Sequence, residues 1–336
     1  MAVPGPRNLI TDVPGIRVGQ AEHRAGRTGT TVILAEAPAI AAVDVRGGAP
    51  GSRETELLGP GTLVERVDAI VLSGGSAFGL DAAGGAMEVL AAAGRGFAVR
   101  EVRVPIVPAA IIFDLAFPGR RAWTGTPPYR RLGRAATERA GYDFALGNAG
   151  AGLGAKAGIV KGGIGSASLR LAGGGTVGAI AVVNSWGAVM RPDCGRLWAA
   201  ELALPGEIPP QPKLPAAPID PEDFSACSAP AAGANTTIAV VATDCGLDKN
   251  ACRRLAVMAQ DGLARAIRPA HSPFDGDTVF ALSTGSGTMD PAALARLGSA
   301  AADCLARAIM RAVVSATPLG GYPSWQRWVR GGLRRR

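Results

Sequence analysis

Eight prolines fall between Leu204 and Ala234, and the chain then runs directly into Asn235-Thr236-Thr237-Ile238-Ala239-Val240-Val241-Ala242-Thr243-Asp244. That junction constrains the fold more than any other feature. Proline-rich stretches of this length with few large apolar residues are uncommon inside compact domains, where they are functional loops or linkers. The run after it is β-branched and apolar without alternation, the pattern of a strand buried on both faces. The sequence therefore predicts a long loop over 204–234 that feeds abruptly into a central strand over 235–244.

The elements on either side are legible from periodicity and punctuation. Strands are expected over 30–36, 39–48, 68–75 and 175–187, and a small-residue helix over 77–94 closed by Gly94. Residues 100–115 begin extended, because Pro105 and Pro108 disfavour helix, and 128–141 forms a short polar helix. Beyond the central strand, Asp248 is placed to cap a helix with Leu255, Met258, Leu263 and Ile267 at helical spacing. A strand over 275–285 follows, and Asp290-Pro291 opens a last helix that presents Leu294, Leu297, Leu305 and Ile309. The final third thus reads strand, helix, strand, helix.

Composition narrows the chemistry. The chain has 336 residues, 48% of them hydrophobic, with a mean hydropathy of +0.20, enough for one large domain or two modest ones. No apolar run approaches the roughly 18 residues of a membrane span. The opening residues lack a basic-then-apolar export signal, so a soluble, cytoplasmic protein is expected. Five cysteines, without CxxC spacing, argue against a disulfide framework. Two histidines, His23 and His271, leave little room for a histidine-rich zinc site or a Ser-His-Asp triad. A hydrolase on this chain needs a base other than histidine.

The net charge of +8 raises the question of nucleic acid. Five of those charges sit in the last stretch, SWQRWVRGGLRRR, leaving +3 without it. A second cluster, Arg120, Arg121, Arg130, Arg131 and Arg134, surrounds Trp123 and Tyr129. Charge runs are usually solvated faces, and a solvated surface with a frayed basic tail over 325–336 is the expectation adopted.

The glycine motifs carry less than they suggest. GAGLGA (150–155) loosely fits a dinucleotide fingerprint, but the acid expected about 20 positions on is missing, the next being Asp193. GAGLGAKAG fails as a phosphate loop because Ala157 follows Lys156 where a magnesium-binding hydroxyl belongs. SGGSAFG (73–79) misses GxSxG spacing around Ser76, since Phe78 takes the last position. These glycines read as tight turns and close packing.

The 235–236 junction offers another chemistry. An α-amino group titrates near 7.7–8.0, so a threonine at a chain start carries its own general base. A flexible segment leading into a fixed hydroxyl has the layout needed to make such a terminus by internal cleavage. Thr236 and Thr237 as ordinary strand residues after a surface loop is the alternative that spacing leaves open.

Seven ordered segments, NLITDVPGIRVGQ, RTGTTVIL, DVRGGAPGSRETELL, LSGGSAFGLDAA, VKGGIGSAS, NTTIAVVATD and FDGDTVFALSTG, make the chain resemble the L-aminopeptidase/D-esterase (DmpA-like) and β-peptidyl aminopeptidase family of self-cleaving hydrolases. The resemblance spans nearly the whole chain. It implies a single α/β domain built as a four-layer αββα sandwich, similar to N-terminal nucleophile hydrolases and to ornithine acetyltransferases. It implies cleavage between Asn235 and Thr236 into chains of 1–235 and 236–336, with Thr236 as nucleophile and its freed amine as the base. By the same resemblance Asn184, in GAIAVVN, helps form an oxyanion hole. Asp275 and Asp277, in DGD, support the nucleophile where the peptidase branch has a serine and a glutamate. Aminopeptidase members carry a carboxylate and a tyrosine in the segment matching VPIVPAAIIFD to receive a free substrate amine. This chain has Ala109, Ala110 and Ile111 there, with Asp114 the only acid, so an amidase acting on a less polar amide stands beside an aminopeptidase.

The expected function is a self-cleaving amide or ester hydrolase acting on a small peptide or amide, with no metal or organic cofactor and no membrane partner, assembled as a homo-oligomer. Two other readings are an acyltransferase of the ornithine acetyltransferase type and a non-catalytic family member whose basic tail binds nucleic acid.

Overall fold

Strand β2, Thr28–Val45, is the element on which the architecture turns. The computed structural model describes residues 3–215, 218–228 and 235–332; parts of the proline-rich loop (216–217 and 229–234) and the end of the tail (333–336) lie outside the described residues. The other principal strands are β1 (Ile16–His23), β3 (Arg66–Ser73), β4 (Ala109–Ile111), β5 (Gly163–Arg170), β6 (Thr176–Asn184), β7 (Thr236–Thr243) and β8 (Thr278–Ser283). The helices are α1 (Ala82–Ala92), α2 (Tyr129–Glu138), α3 (Lys249–Ala266), α4 (Pro291–Val314) and α5 (Trp325–Gly332). The strand order is β5-β6-β7-β8-β2-β3-β4, with β1 alongside β2 and the short strand Ser52–Arg53 on the far side of β4.

The first half of β2 pairs with β1 and β3, and its second half pairs with β8. Its register with β3 shifts between Leu34 and Ala39. The sequence predicts two strands here, 30–36 and 39–48. The backbone instead stays extended through Pro38, which cannot donate to a ladder, and accommodates it in an irregularity. This bend lets one hydrogen-bonded sheet form two stacked layers. Ile33, Ile70 and Leu72 of one layer meet Ile180, Val182, Ile238, Val240 and Phe280 of the other.

Helices close both outer faces. Leu255 and Leu263 of α3 and Leu305 and Ile309 of α4 pack with Ala179, Ala181 and Val241. On the opposite side Ala82, Ala86 and Leu132 cover Val32 and Val71. The layers run αββα. The expected caps are in place: Asp248 Oδ1 accepts from Ala251 N at 2.7 Å, and Asp290 Oδ1 accepts from Ala292 N and Ala293 N at 2.9 and 3.0 Å. Strand β7 is buried along all its described length. It is antiparallel to β6 and parallel to β8, with α3 as the crossover.

The basic regions depart in part from expectation. Arg130 pairs with Asp81 and Glu88, Arg134 pairs with Glu138, and Arg120 lies over the Trp123 ring. The end of the chain is not frayed over its described part. Residues 325–332 form α5, whose Trp325 is 2% exposed and donates its indole N–H to Gly195 O at 2.8 Å. Trp325→Ala should therefore lower stability by about 3–5 kcal/mol, the cost of truncating a buried aromatic. Denaturant unfolding measures it, and a change near zero would mean that α5 is not docked. Among the described residues no helix is long and apolar enough to cross a membrane.

Candidate active site

The head of β7 is where the fold concentrates its polar groups. Asn235 is fully buried and Thr236 is 3% exposed. Thr236 stands opposite Asn184, the last residue of β6, across the antiparallel ladder. The Thr236 hydroxyl folds back and donates a short hydrogen bond to the carbonyl oxygen of Asn235. The same oxygen accepts the Gly276 N–H at 3.1 Å. A hydroxyl and a fixed backbone donor thus converge on one carbonyl, that of the peptide bond preceding Thr236.

The turn before β8 supplies the acids. Asp277 Oδ1 accepts from Thr237 N at 2.7 Å, so this carboxylate fixes the first turn of the ladder at the strand head. Asp275 Oδ1 accepts from Trp186 N at 3.1 Å, and its Oδ2 accepts from Ser272 N and Ser272 Oγ at 3.2 and 2.5 Å. Burial, and then the neighbouring charge of Asp277, push the Asp275 carboxyl above the usual carboxylate range. The turn is stitched from behind: Arg46 N and Gly47 N donate to Asp277 O, and Ala49 N donates to Asp275 O. Gly47 allows this approach, since a Cβ there would stand 2.2 Å from Asp277 N. The glycines of DVRGGAPG are therefore part of the site's backing.

Lys156 is the residue that sequence reasoning missed. It enters from the glycine-rich stretch, and its Nζ donates to Asn235 Oδ1 and to Ser228 Oγ, both at 2.8 Å. Ser228 donates onward to Gly158 O at 3.0 Å, so it is free to accept from the lysine. Burial lowers the Lys156 amine to about 8, with the charge of Asp275 opposing the shift. A neutral amine has two N–H donors and one lone pair. In that form the two hydrogen bonds to Asn235 and Ser228 use both donors and leave the lone pair for a proton. Only four of the 35 basic residues are lysines, which is the one signal in the sequence that could have drawn attention to it. Lys156 N also donates to Asn184 Oδ1 at 3.1 Å, while Asn184 Nδ2 donates to Phe113 O at 3.2 Å.

A slot of about 50 Å³ opens beside these groups, lined by Phe113, Asp114, Phe117 and Tyr322 together with Lys156 and Asn184. Asp114 is 2% exposed, and its Oδ1 accepts from Gly75 N at 2.8 Å. Burial raises its carboxyl to about 6, against the favourable neighbours Thr28 and Gly75. Ala109, Ala110 and Ile111 form strand β4 and are buried. Asp114, just beyond, is the acid of this segment that reaches the slot. Thr236, Asn184, Asp275 and Asp277 thus gather at one place together with Asn235. Among the described residues no group of three or more histidine, cysteine, aspartate or glutamate side chains is arranged to hold a metal ion.

Comparison with known proteins decides the family. The model of peptidase family S58 matches residues 8–326. The chain belongs to peptidase family S58. An uncharacterized aminopeptidase of Mycobacterium bovis is 46% identical over 343 residues, covering 95% of this chain and 97% of the relative. A 6-aminohexanoate-oligomer endohydrolase of a Kocuria species is 34% identical over 293 residues, covering 83% of this chain and 76% of the relative. The structure of L-aminopeptidase D-Ala-esterase/amidase from Ochrobactrum anthropi, described as a variant of the Ntn hydrolase fold, matches with a TM-score of 0.71. It is 22% identical and covers 100% of this chain and 96% of that one, a likeness of fold. The S58 protein is accordingly a hydrolase of the peptidase and amidase type on an Ntn-like αββα scaffold.

Proposed function

We propose that this S58 hydrolase cuts its own Asn235–Thr236 bond and then uses Thr236 as an N-terminal nucleophile on amides. The observation that carries the reading is the Thr236 hydroxyl lying against the Asn235 carbonyl, whose oxygen also takes the Gly276 N–H. Thr236 Oγ adds to the Asn235 carbonyl carbon while its proton passes to the neutral Lys156 amine. The oxyanion is held by Gly276 N–H, a preorganised donor of the kind worth several kcal/mol. Collapse breaks the C–N bond, the nitrogen takes the proton back, and an ester links Asn235 to Thr236 Oγ. Water hydrolyses that ester, leaving the Asn235 carboxylate and a free Thr236 amine and hydroxyl.

The same groups then serve an external amide. Thr236 Oγ attacks the substrate carbonyl, the leaving amine departs protonated, and water resolves the acyl-enzyme. Asn184, opposite Thr236, contributes a side-chain amide for the oxyanion. Asp277 holds the strand head and Asp275 its neighbouring turn. The narrow slot suits an unbranched acyl chain; the Ala109–Ile111 strand itself carries no carboxylate, and the acid that lines the slot is the buried Asp114. An amidase therefore stands beside an aminopeptidase, the two relatives being named a 6-aminohexanoate-oligomer endohydrolase and an uncharacterized aminopeptidase.

Intact mass of the wild-type protein under denaturing conditions tests the reading. Two chains, 1–235 and 236–336, are expected; an uncut chain after prolonged incubation overturns it. Gly276 gives a sharper check on geometry. A Cβ at this position would stand 2.6 Å from Ala49 O and 2.9 Å from Thr236 Oγ1. Gly276→Ala must move the turn and its donor, and a misplacement on the order of 1 Å costs about 100-fold in rate. Self-cleavage at the wild-type rate in that variant would remove Gly276 N–H from the oxyanion role.

A further inference from the structure

His271 stands apart from any role assigned so far, yet it touches the acid that holds the nucleophile strand. Its Nδ1 lies 2.9 Å from Asp277 Oδ2, and its backbone N–H donates to the same oxygen at 3.0 Å. Asp277 Oδ1, at the other end of that carboxylate, receives Thr237 N at 2.7 Å. One carboxylate therefore ties residue 271 to the first turn of β7, adjacent to Thr236. The residue is held at φ +57°, the left-handed region that non-glycine residues rarely adopt. Such conformations persist only where the surroundings enforce them, and they cluster at functional sites. The other ring nitrogen, Nε2, is buried without a hydrogen-bond partner among the described residues. The ring is thus committed to a single polar contact. A nitrogen facing a carboxylate oxygen is a donor, which makes the Nδ1–H tautomer the one that fits.

We infer that His271 is a positioning residue for the reaction. Its Nδ1–H orients the Asp277 carboxylate so that the opposite oxygen grips Thr237 N–H and aims the Thr236 hydroxyl at its target. His271 touches neither the cleaved bond nor a reacting atom; it acts through Asp277. The inference rests on Thr236 being the nucleophile of self-cleavage.

Self-cleavage provides a readout that needs no external substrate. The full chain is synthesised cell-free, and the cut fraction is followed by intact mass for wild type, Thr236→Ala, and His271→Asn, Gly, Ala and Gln, with thermal melts for each. Asparagine places an N–H where Nδ1 stood and tolerates positive φ. Glycine tolerates the backbone but has no donor, and glutamine carries its amide at the Nε2 position. Asparagine should stay within about threefold of wild type, while glycine, alanine and glutamine slow by on the order of 100-fold at similar melting temperatures. Glycine as fast as asparagine would show that only the backbone conformation matters, and glutamine matching asparagine would show that only bulk matters; either overturns the inference. All four at the wild-type rate would overturn it too. Cleavage of Thr236→Ala at the same junction, or an uncut wild type, would instead sink the nucleophile reading and this inference with it.

Discussion

Thr236→Ala should leave one uncut chain and no amide hydrolysis, a loss on the order of 10⁴-fold or more, the result expected if the proposed nucleophile is removed. Thr236→Val is the stricter version of the test. Thr236 heads a β-branched strand and is buried, so valine preserves shape and strand preference while deleting the hydroxyl. The valine variant should fold, remain a single chain by intact mass, and stay inactive. Thr236→Ser should still cut, since it retains the attacking oxygen. A valine variant that splits between 235 and 236 would transfer the chemistry to another group and undo the whole assignment.

Lys156→Met carries the second large effect. Methionine keeps an apolar stem of similar length and removes the amine that contacts Asn235 and Ser228. Loss of a general base costs typically about 10²–10⁴-fold. The pH dependence gives the sign. In the proposed reaction the base is the neutral amine, whose pKa burial lowers to about 8. Wild-type self-cleavage should therefore rise about tenfold per pH unit up to that value and level off above it. Lys156→Arg retains a cation that cannot deprotonate in this range, so it should fail as methionine does. Intact mass sampled over time between pH 6 and 9 measures both. A methionine variant with the wild-type rate and profile would place the base elsewhere.

Much of the scaffold was legible because it is written in local chemistry. Asp248 and Asp290 announce helix starts through capping, and the β-branched run from Thr236 announces a strand buried on both sides. The bend in β2 was not legible. Pro38 reads locally as a break between two strands, and only the pairing of β8 with one half and β1 with the other keeps the strand continuous. Within the site, Asn184, Asp275 and Asp277 came from a family resemblance, and the geometry collects them around Thr236. Lys156 was weighed only as a phosphate-loop residue, because its approach to Asn235 spans 79 positions of sequence. Gly276 contributes a backbone N–H, a group every residue but proline has, so no pattern of side chains could mark it. His271 entered only as one of two histidines, since its partner six residues on reads as an ordinary turn acid. Trp325 sat in a stretch dominated by arginine, and its burial depends on Gly195, far away in the chain.

The strand order has a consequence for how such an enzyme would age. In the sheet, β7 and β8 come from the segment after residue 235, yet they lie between β6 and β2, which come from the segment before it. Under the proposed cleavage the two pieces are interleaved, and neither can leave without tearing a continuous ladder on both of its flanks. The native assembly would hold together as one body. Once unfolded, though, the halves would have to find each other by collision, so renaturation would depend on concentration where the uncut precursor needs only itself. The mature protein would owe its lifetime to the height of the unfolding barrier, and a single thermal excursion in dilute solution would be final.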